Sequence, residues 1–186
     1  MTKTDLTRRQ GLPDALRVLL AEFPRDGWQD HANFAGMVQF WLQRHLMFRE
    51  VLGKIEAETQ ALLDRRIDAQ AYAPRLSRYG GFFLNELHAH HHIEDAHYFP
   101  SLTRLDQRLE HGFDMLETDH QAMDGLLNTF AGGANAVLQA KADADAYQAA
   151  GTFLTQLERI KTLLDRHLTD EEEIIVPVIL KTGFQG

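Results

Sequence analysis

The sequence predicts an all-α fold: an up-down antiparallel four-helix bundle with an extra short N-terminal helix. Apolar residues recur at helical spacing along almost the whole chain, and no stretch reads as a convincing strand. The chain has 186 residues, of which 44% are hydrophobic, enough for one well-buried core. We therefore expect a single domain over residues 1–186, with the bundle at about residues 31–180.

The short N-terminal helix is expected at about residues 12–23. Pro13 suits its first turn, where a backbone N–H has no partner within the helix. Pro24 and Gly27 follow its apolar residues and should end it.

The first two long helices carry apolar stripes with steps of three and four residues, the spacing of packed bundle helices. The first stripe is Phe34, Val38, Trp41, His45, Phe48, Leu52 and Ile55. A polar connection is expected from Asp64 to Ala73, followed by Pro74. The second stripe is Leu76, Gly80, Phe83, Leu87, His90, Glu94 and His97. Pro100 should end or kink this helix, because proline lacks a donor and clashes one turn back.

The last two long helices repeat the pattern. The third stripe is Leu109, Phe113, Leu116, His120, Met123, Leu127 and Phe130. The pair Gly132-Gly133 is either a stop or a close-packing site, and the stretch from Lys141 to Asp145 is expected to be a connection. The fourth stripe is Phe153, Leu157, Ile160, Leu164, His167, Glu171 and Ile174. Pro177 should interrupt this helix as Pro100 does the second.

A doubled motif carries most of the functional information. The segment His90 to Pro100 recurs in outline 77 residues later, as His167 to Pro177. Each copy places a glutamate, Glu94 or Glu171, four residues after a histidine. Positions i and i+4 share one face of a helix, so each copy offers an imidazole and a carboxylate together.

Each long helix also has one histidine in an inward position: His45, His90, His120 and His167. A lone histidine on an apolar face is usually a satisfied core residue. Four of them with two inward carboxylates, Glu94 and Glu171, are costly to bury unless they are paired or coordinated. Two similar hairpins related by a pseudo-twofold axis would suit a dinuclear centre bridged by the carboxylates.

Helical angles sort the remaining polar residues. Three histidines should point away from the inward face: His88, His92 and His111. His91 flanks the stripe as a neighbouring ligand or as a hydrogen-bond donor, and His97 is a candidate to line the pocket. His31 is expected at the surface or in a cap. Glu171 is favoured over Glu172 as a ligand, and three acids are interpreted as a solvated face: Asp170, Glu172 and Glu173.

Composition limits the chemistry. Cysteine is absent, which excludes disulfides, thiolate zinc sites and iron–sulfur clusters. The formal net charge of -8 argues against a nucleic-acid partner. No apolar run approaches the ~20 residues of a membrane span and no signal peptide is recognised, so we expect a cytoplasmic protein without a membrane partner.

Nitrogen and oxygen ligands suit iron, manganese or zinc. The zinc-hydrolase motif His-Glu-x-x-His is missing. The two Glu-x-x-His motifs of ferritin-like di-iron proteins are not both present, because Ile174 stands where the second histidine would be.

The order His, His-x-x-x-Glu, His, His-x-x-x-Glu resembles the hemerythrin-like (HHE cation-binding) family over roughly residues 31–180. The most specific parts are the segments His90 to Pro100 and His167 to Pro177. The resemblance implies a four-helix bundle around a non-haem di-iron centre, whose two ions are bridged by carboxylate and oxo groups. The ligands carried over are His45, His90, Glu94, His120, His167 and Glu171. Zinc or manganese is the alternative metal.

One departure from the oxygen-carrying members of that family concerns Asp124. Those members have a second histidine at this position, and their last carboxylate stands where this chain has Glu172. Asp124 either coordinates, hydrogen-bonds to His120 or leaves an open position, and a simple oxygen-storage role is disfavoured. The expected function is to bind or sense a small molecule: O2, peroxide or nitric oxide. A di-iron enzyme that decomposes peroxide or another small oxidant and a metal-stiffened helical interaction module are the alternatives, and whether a protein partner exists is left open.

Overall fold

Six α-helices make up most of residues 4–186, the part of the chain that the computed structural model describes, and no strand occurs in this range. They are α1 (Val18–Glu22), α2 (Met37–Leu63), α3 (Ala69–Ile93), α4 (Phe99–Leu105), α5 (Glu110–Leu138) and α6 (Asp143–Thr182). The predicted all-α fold class is confirmed. No helix in this range is both long enough and apolar enough to cross a membrane.

The chain forms two compact units, and each contains parts of all four long helices. The first unit consists of the segment that ends at Leu46 together with His90–Ala122 and Leu164–Gly186. It holds the starts of α2 and α5 and the ends of α3 and α6, so successive long helices run in opposite directions within it. The second unit consists of Met47–Ala89 and Met123–Leu163. Whether the chain is one domain stays a prediction.

Each unit has its own buried core. In the first unit, α1, α2, α4, α5 and the end of α6 contribute to an apolar cluster that includes Leu12, Leu16, Trp41, Phe99, Phe113, Leu116, Ile175 and Ile179. In the second unit, each long helix contributes one phenylalanine to a continuous row of rings: Phe48, Phe83, Phe130 and Phe153. Apart from His97, which is exposed, the predicted stripes are therefore the inward faces of the helices.

The N-terminal helix is shorter than expected. A 3-10 turn at Asp14–Leu16 precedes α1, and the two are separated by Arg17. The Nε atom of Arg17 donates to the carbonyl oxygen of Leu12, 2.8 Å away. The apolar residues Leu16 and Leu19 are nonetheless buried, as their spacing indicated.

Helix α3 begins at Ala69 rather than at Pro74. The carboxylate of Asp68 accepts a hydrogen bond from the backbone N–H of Ala71 at 2.7 Å, which is an N-cap. This cap starts the helix early, and Pro74 is accommodated inside it. The predicted connection from Asp64 to Ala73 is therefore too long.

The two prolines of the doubled motif behave differently. A π-helical turn, Glu94–Tyr98, follows α3, and Pro100 then lies in the first turn of α4, where its missing N–H costs little. The local break expected near Pro100 is therefore present. Helix α6, in contrast, continues through Pro177, so the predicted interruption there is wrong. The flanking residues from Ile174 to Leu180 are almost all buried, and this packing outweighs the lost backbone hydrogen bond.

Helix α5 also continues through Gly132 and Gly133, and the connection to α6 is confined to residues 139–142. A Cβ atom on Gly133 would lie 2.7 Å from the ring of Phe153 and would collide with the side chain of Gln156. Of the two roles considered for this pair, Gly133 has the close-packing one.

Candidate metal centre

Seven buried side chains of the first unit form two neighbouring groups. The first group is His45, His90, Glu94 and Glu171, and the second is His91, His120 and His167. Within each group, the potential ligand atoms lie within 4.8 Å of one another. All six residues suggested by the resemblance fall in these groups, and His91, whose role was open, is the seventh.

Each group draws on several helices. Helix α2 supplies His45, α5 supplies His120, and α6 supplies both His167 and Glu171. His90 and His91 are adjacent in α3, so their side chains diverge and reach different groups. Glu94 begins the π-helical turn. No group is formed by one helix alone.

The two glutamates connect the groups. Glu94 has Oε1 at 3.0 Å from Nε2 of His90 and Oε2 at 3.6 Å from Nε2 of His120. Glu171 has Oε1 at 3.4 Å from Nε2 of His45 and Oε2 at 3.4 Å from Nε2 of His167. Each carboxylate thus presents one oxygen to each group.

Three of the imidazoles contact a carboxylate through Nδ1. Glu172 lies 3.1 Å from His45 Nδ1, and Asp95 lies 2.8 Å from His120 Nδ1. Asp119 lies 3.3 Å from His167 Nδ1. A carboxylate that accepts from Nδ1–H fixes the tautomer and leaves Nε2 available as a ligand atom.

The acids of α6 are not a solvated face. Asp170 is fully buried and accepts a hydrogen bond from Arg9 Nε at 2.6 Å. Glu172 is 4% exposed and lies 3.0 Å from Arg25 Nη1. The prediction of solvent exposure is wrong for these residues and for the partly buried Glu173, because the N-terminal segment covers α6 and brings arginines to it.

The other histidines are placed largely as predicted. His88, His92 and His111 are exposed, which confirms their assignment to the outer surface. His31 is partly buried and accepts a hydrogen bond from the backbone N–H of Asn33. His97 is exposed, so its predicted place in the pocket is wrong. The π-helical turn changes the rotation per residue, and alignment calculated for a regular helix fails beyond Glu94.

Asp124 is exposed and belongs to neither group. Because Asp124 is exposed, nothing in the structure supports the role of metal ligand that was considered for it. The position therefore adds no ligand to the groups described above.

Burial and neighbouring charges shift the pKa of the histidines in opposite directions. Burial lowers the pKa of His90 to about 3 and also lowers that of His91. Burial would lower the pKa of His167 as well, but the neighbouring carboxylates of Asp119 and Glu171 outweigh it and raise this pKa to about 9.

The two glutamates differ in the same way. Burial and the charge of Glu171 raise the pKa of Glu94 well above its usual value. Burial would also raise the pKa of Glu171, but the neighbouring His45 and His167 hold it well below its usual range. Two carboxylates that share a small buried space cannot both ionise easily without a compensating cation.

A family model described as the hemerythrin HHE cation-binding domain matches residues 36–179, more than three quarters of the chain. The chain belongs to the hemerythrin HHE family. Neither a curated protein nor a solved structure gives a match. Membership of the hemerythrin HHE family agrees with the helical bundle and indicates a cation-binding role.

The donor atoms fit such a cation. Five ligand atoms, His45 Nε2, His91 Nε2, both oxygens of Glu94 and Glu171 Oε2, are buried without a hydrogen bond among the residues that the structure describes. Buried polar atoms are rarely left unsatisfied, because each costs about 1–3 kcal/mol. A cation held by imidazole and carboxylate would satisfy them, and this donor set suits iron, manganese or zinc.

Proposed function

We propose that this hemerythrin HHE chain binds two iron ions and uses them to bind or sense a small oxidant or gas: O2, peroxide or nitric oxide. The observation that supports this best is the placement of Glu94 and Glu171, each with one oxygen toward either histidine group. Carboxylates in this position are suited to bridging two ions. Two carboxylates and five imidazoles, deprotonated when they bind metal, also suit two divalent cations better than one.

The donor count makes the two proposed sites unequal. With one oxygen from each glutamate, the group of His91, His120 and His167 offers five protein donors. The group of His45 and His90 offers four. Iron commonly takes six ligands, so the site of His45 and His90 keeps more positions for an added small molecule. When bound there, iron would supply the redox chemistry.

The protein's own contribution is to fix and enclose these donors. The indole N–H of Trp41 donates to Oε1 of Glu171 at 2.5 Å, and its ring packs edge-on against His90. The bond orients the carboxylate, and the ring excludes water from the side of His45 and His90. All seven residues that supply the donors are buried, so only a small molecule can enter without a larger rearrangement.

Anaerobic loading with ferrous iron, followed by exposure to air, tests the proposal. We expect about two irons per chain and ligand-to-iron charge-transfer absorption after exposure. His90→Ala and His167→Ala should each lose the absorption. The exposed neighbours provide matched controls, since His88→Ala and His92→Ala alter the same histidine-rich segment without touching either group.

The proposal fails if the wild-type chain takes up no iron. It also fails if His90→Ala and His167→Ala, shown to be folded by circular dichroism, behave like the two controls. Peroxide decomposition by the loaded protein, measured against free iron, then separates binding from turnover.

A further inference from the structure

We propose that the N-terminal segment, residues 4–28, is a functional part of this centre and that Arg9 is a positioning residue for His167, acting through Asp119. This inference rests on the proposed function, since it concerns one of the proposed ligands. It concerns a segment outside the matched domain, because the family match begins only at residue 36.

Arg9 is inserted into the first unit rather than lying on its surface. Only 1% of its side chain is exposed. Its two terminal nitrogens, Nη1 and Nη2, bond the two oxygens of Asp119, and its Nε bonds Asp170 at 2.6 Å. Nη1 also donates to the carbonyl oxygen of Thr4 at 2.6 Å, which holds the start of the segment in place.

Asp119 links this arginine to the histidine group. Its Oδ2 accepts from Arg9 Nη2 and lies 3.3 Å from Nδ1 of His167. A guanidinium bound to both oxygens fixes the plane of the carboxylate. The orientation of the carboxylate in turn determines where the His167 ring can donate, and hence where its Nε2 points.

Arg9 also balances the negative charges of two buried aspartates. Asp119 and Asp170 are 2% and 0% exposed, and they would be two uncompensated buried charges without partners. Arg9 reaches both, while Arg166 contacts Asp170 alone at 2.5 Å. Loss of Arg9 therefore leaves Asp119 with the His167 ring as its remaining side-chain partner within residues 4–186.

The substitution Arg9→Lys tests the positioning role most directly. It keeps the positive charge, so the buried acids stay compensated, but an ammonium cannot reproduce the two-pronged contact. Arg8 provides the matched control, because it is the neighbouring residue, its side chain is 59% exposed and it lies 3.9 Å from Asp5.

The experiment loads wild type, Arg9→Lys and Arg8→Lys anaerobically with ferrous iron and titrates each with a chelator. We expect Arg9→Lys to release one of its two irons at about tenfold lower chelator concentration, the effect typical of substitutions that disturb hydrogen bonds to a metal ligand. Its visible spectrum should also differ from that of wild type. Arg8→Lys should match wild type. Arg9→Gln should also lower the reduction potential, because the uncompensated charge of Asp119 favours ferric iron.

The inference is overturned if Arg9→Lys, folded as judged by circular dichroism, matches Arg8→Lys in the titration and the spectrum. In that case the proposed function still stands, since wild type holds its two irons. Wild type that takes up no iron would instead refute the proposed function and this inference with it. If Arg9→Gln does not fold, the comparison of the two lysine variants decides alone.

Discussion

At the scale of single residues, hydrogen bonds orient several donors of the candidate centre before an ion binds. Trp41 donates to Glu171, and Asp95 and Asp119 contact the outer nitrogens of His120 and His167. These partners keep the ligand atoms pointing inward. Pre-oriented donors lower the conformational cost of binding a metal.

The contact of Trp41 with Glu171 makes this tryptophan an optical probe. We expect anaerobic titration with ferrous iron to quench the fluorescence of Trp41, because a paramagnetic ion held by Glu171 would be almost in contact with the indole. The chain has a second tryptophan, Trp28, whose indole N–H donates to the carbonyl of Phe23. Quenching should therefore persist in Trp28→Phe and shrink sharply in Trp41→Phe. Equal quenching in the two variants would contradict the geometry.

A second residue gives a pH dependence that is independent of metal. Burial raises the pKa of Tyr72 to about 12, and its hydroxyl lies 2.6 Å from Thr59 Oγ1, which itself donates to the carbonyl of Ile55. The folded state therefore favours the neutral phenol. Its contribution is complete below pH about 10 and is lost as the pH rises toward about 12, a change of roughly 2–3 kcal/mol.

Unfolding in denaturant at pH 9 to 12 measures this effect. Tyr72→Phe should lose roughly 1 kcal/mol of stability at neutral pH, since a buried hydrogen bond is removed, and should lose stability less steeply above pH 10. Parallel alkaline curves for wild type and Tyr72→Phe would contradict the assignment.

The sequence identifies these donors because ligands and core residues share one helical stripe. His45, His120 and His167 could be placed inward by spacing alone. The burial of Asp170 and Glu172 could not be predicted, since their arginine partners are 161 and 147 residues away in sequence. Spacing within one helix carries no information about such distant contacts.

At the scale of helices, the π-helical turn at Glu94–Tyr98 is the feature that the regular helical pattern misses. A π turn contains more residues than an α turn, so it changes the face on which later residues lie. Glu94 is the first residue of this turn and remains inward, while His97 lies later in it and is exposed. Pro100 is the sequence signal for this break, but it indicates the region and not the new register.

The glycine pair in α5 offers a test of helix packing in the second unit. Gly133→Ala should destabilise the protein by about 1–3 kcal/mol, because its Cβ would be forced against the buried ring of Phe153. Gly132→Ala is the matched control. Apart from its chain neighbours and the backbone of its own helix, no atom lies within 4 Å of its Cβ position, so alanine there should stabilise the helix by about 0.5–1 kcal/mol. Thermal or denaturant unfolding of both variants measures the difference, and a shift in the same direction for both would contradict the packing.

Two prolines lie at positions where a rule based on the local sequence alone gives the wrong helix boundary. Pro74 and Pro177 both lie inside helices, although the sequence rule predicts a boundary at each. At Pro177 the surrounding side chains are buried on most sides, and that tertiary packing stabilises a helix that the local sequence disfavours. At Pro74, the N-cap of Asp68 starts the helix more than one turn before the proline. The proline therefore lies inside the helix and does not mark its start.

At the scale of the whole molecule, bound metal would act as a cross-link between four helices that are far apart in sequence. Ligands from α2, α3, α5 and α6 bind only when these helices are folded together, so binding should stabilise the fold. At a free metal concentration 100 times the dissociation constant, one site adds about 2.7 kcal/mol. For a chain of this length we expect a rise in Tm of about 5–10 °C per ion.

Calorimetry of the iron-loaded and chelator-treated protein measures this shift. The rise in Tm should be absent in the double variant Glu94→Gln/Glu171→Gln, in which both proposed bridging carboxylates are removed. An equal Tm with and without metal in the wild-type protein would contradict a site built from all four helices.

The most direct test is anomalous diffraction from crystals of the iron-loaded protein. We expect two iron peaks per chain, one beside His45 and His90 and the other beside His91, His120 and His167, with Glu94 and Glu171 between them. A single peak, or peaks only at the exposed histidines His88 and His92, would show that the two buried groups do not hold a pair of ions.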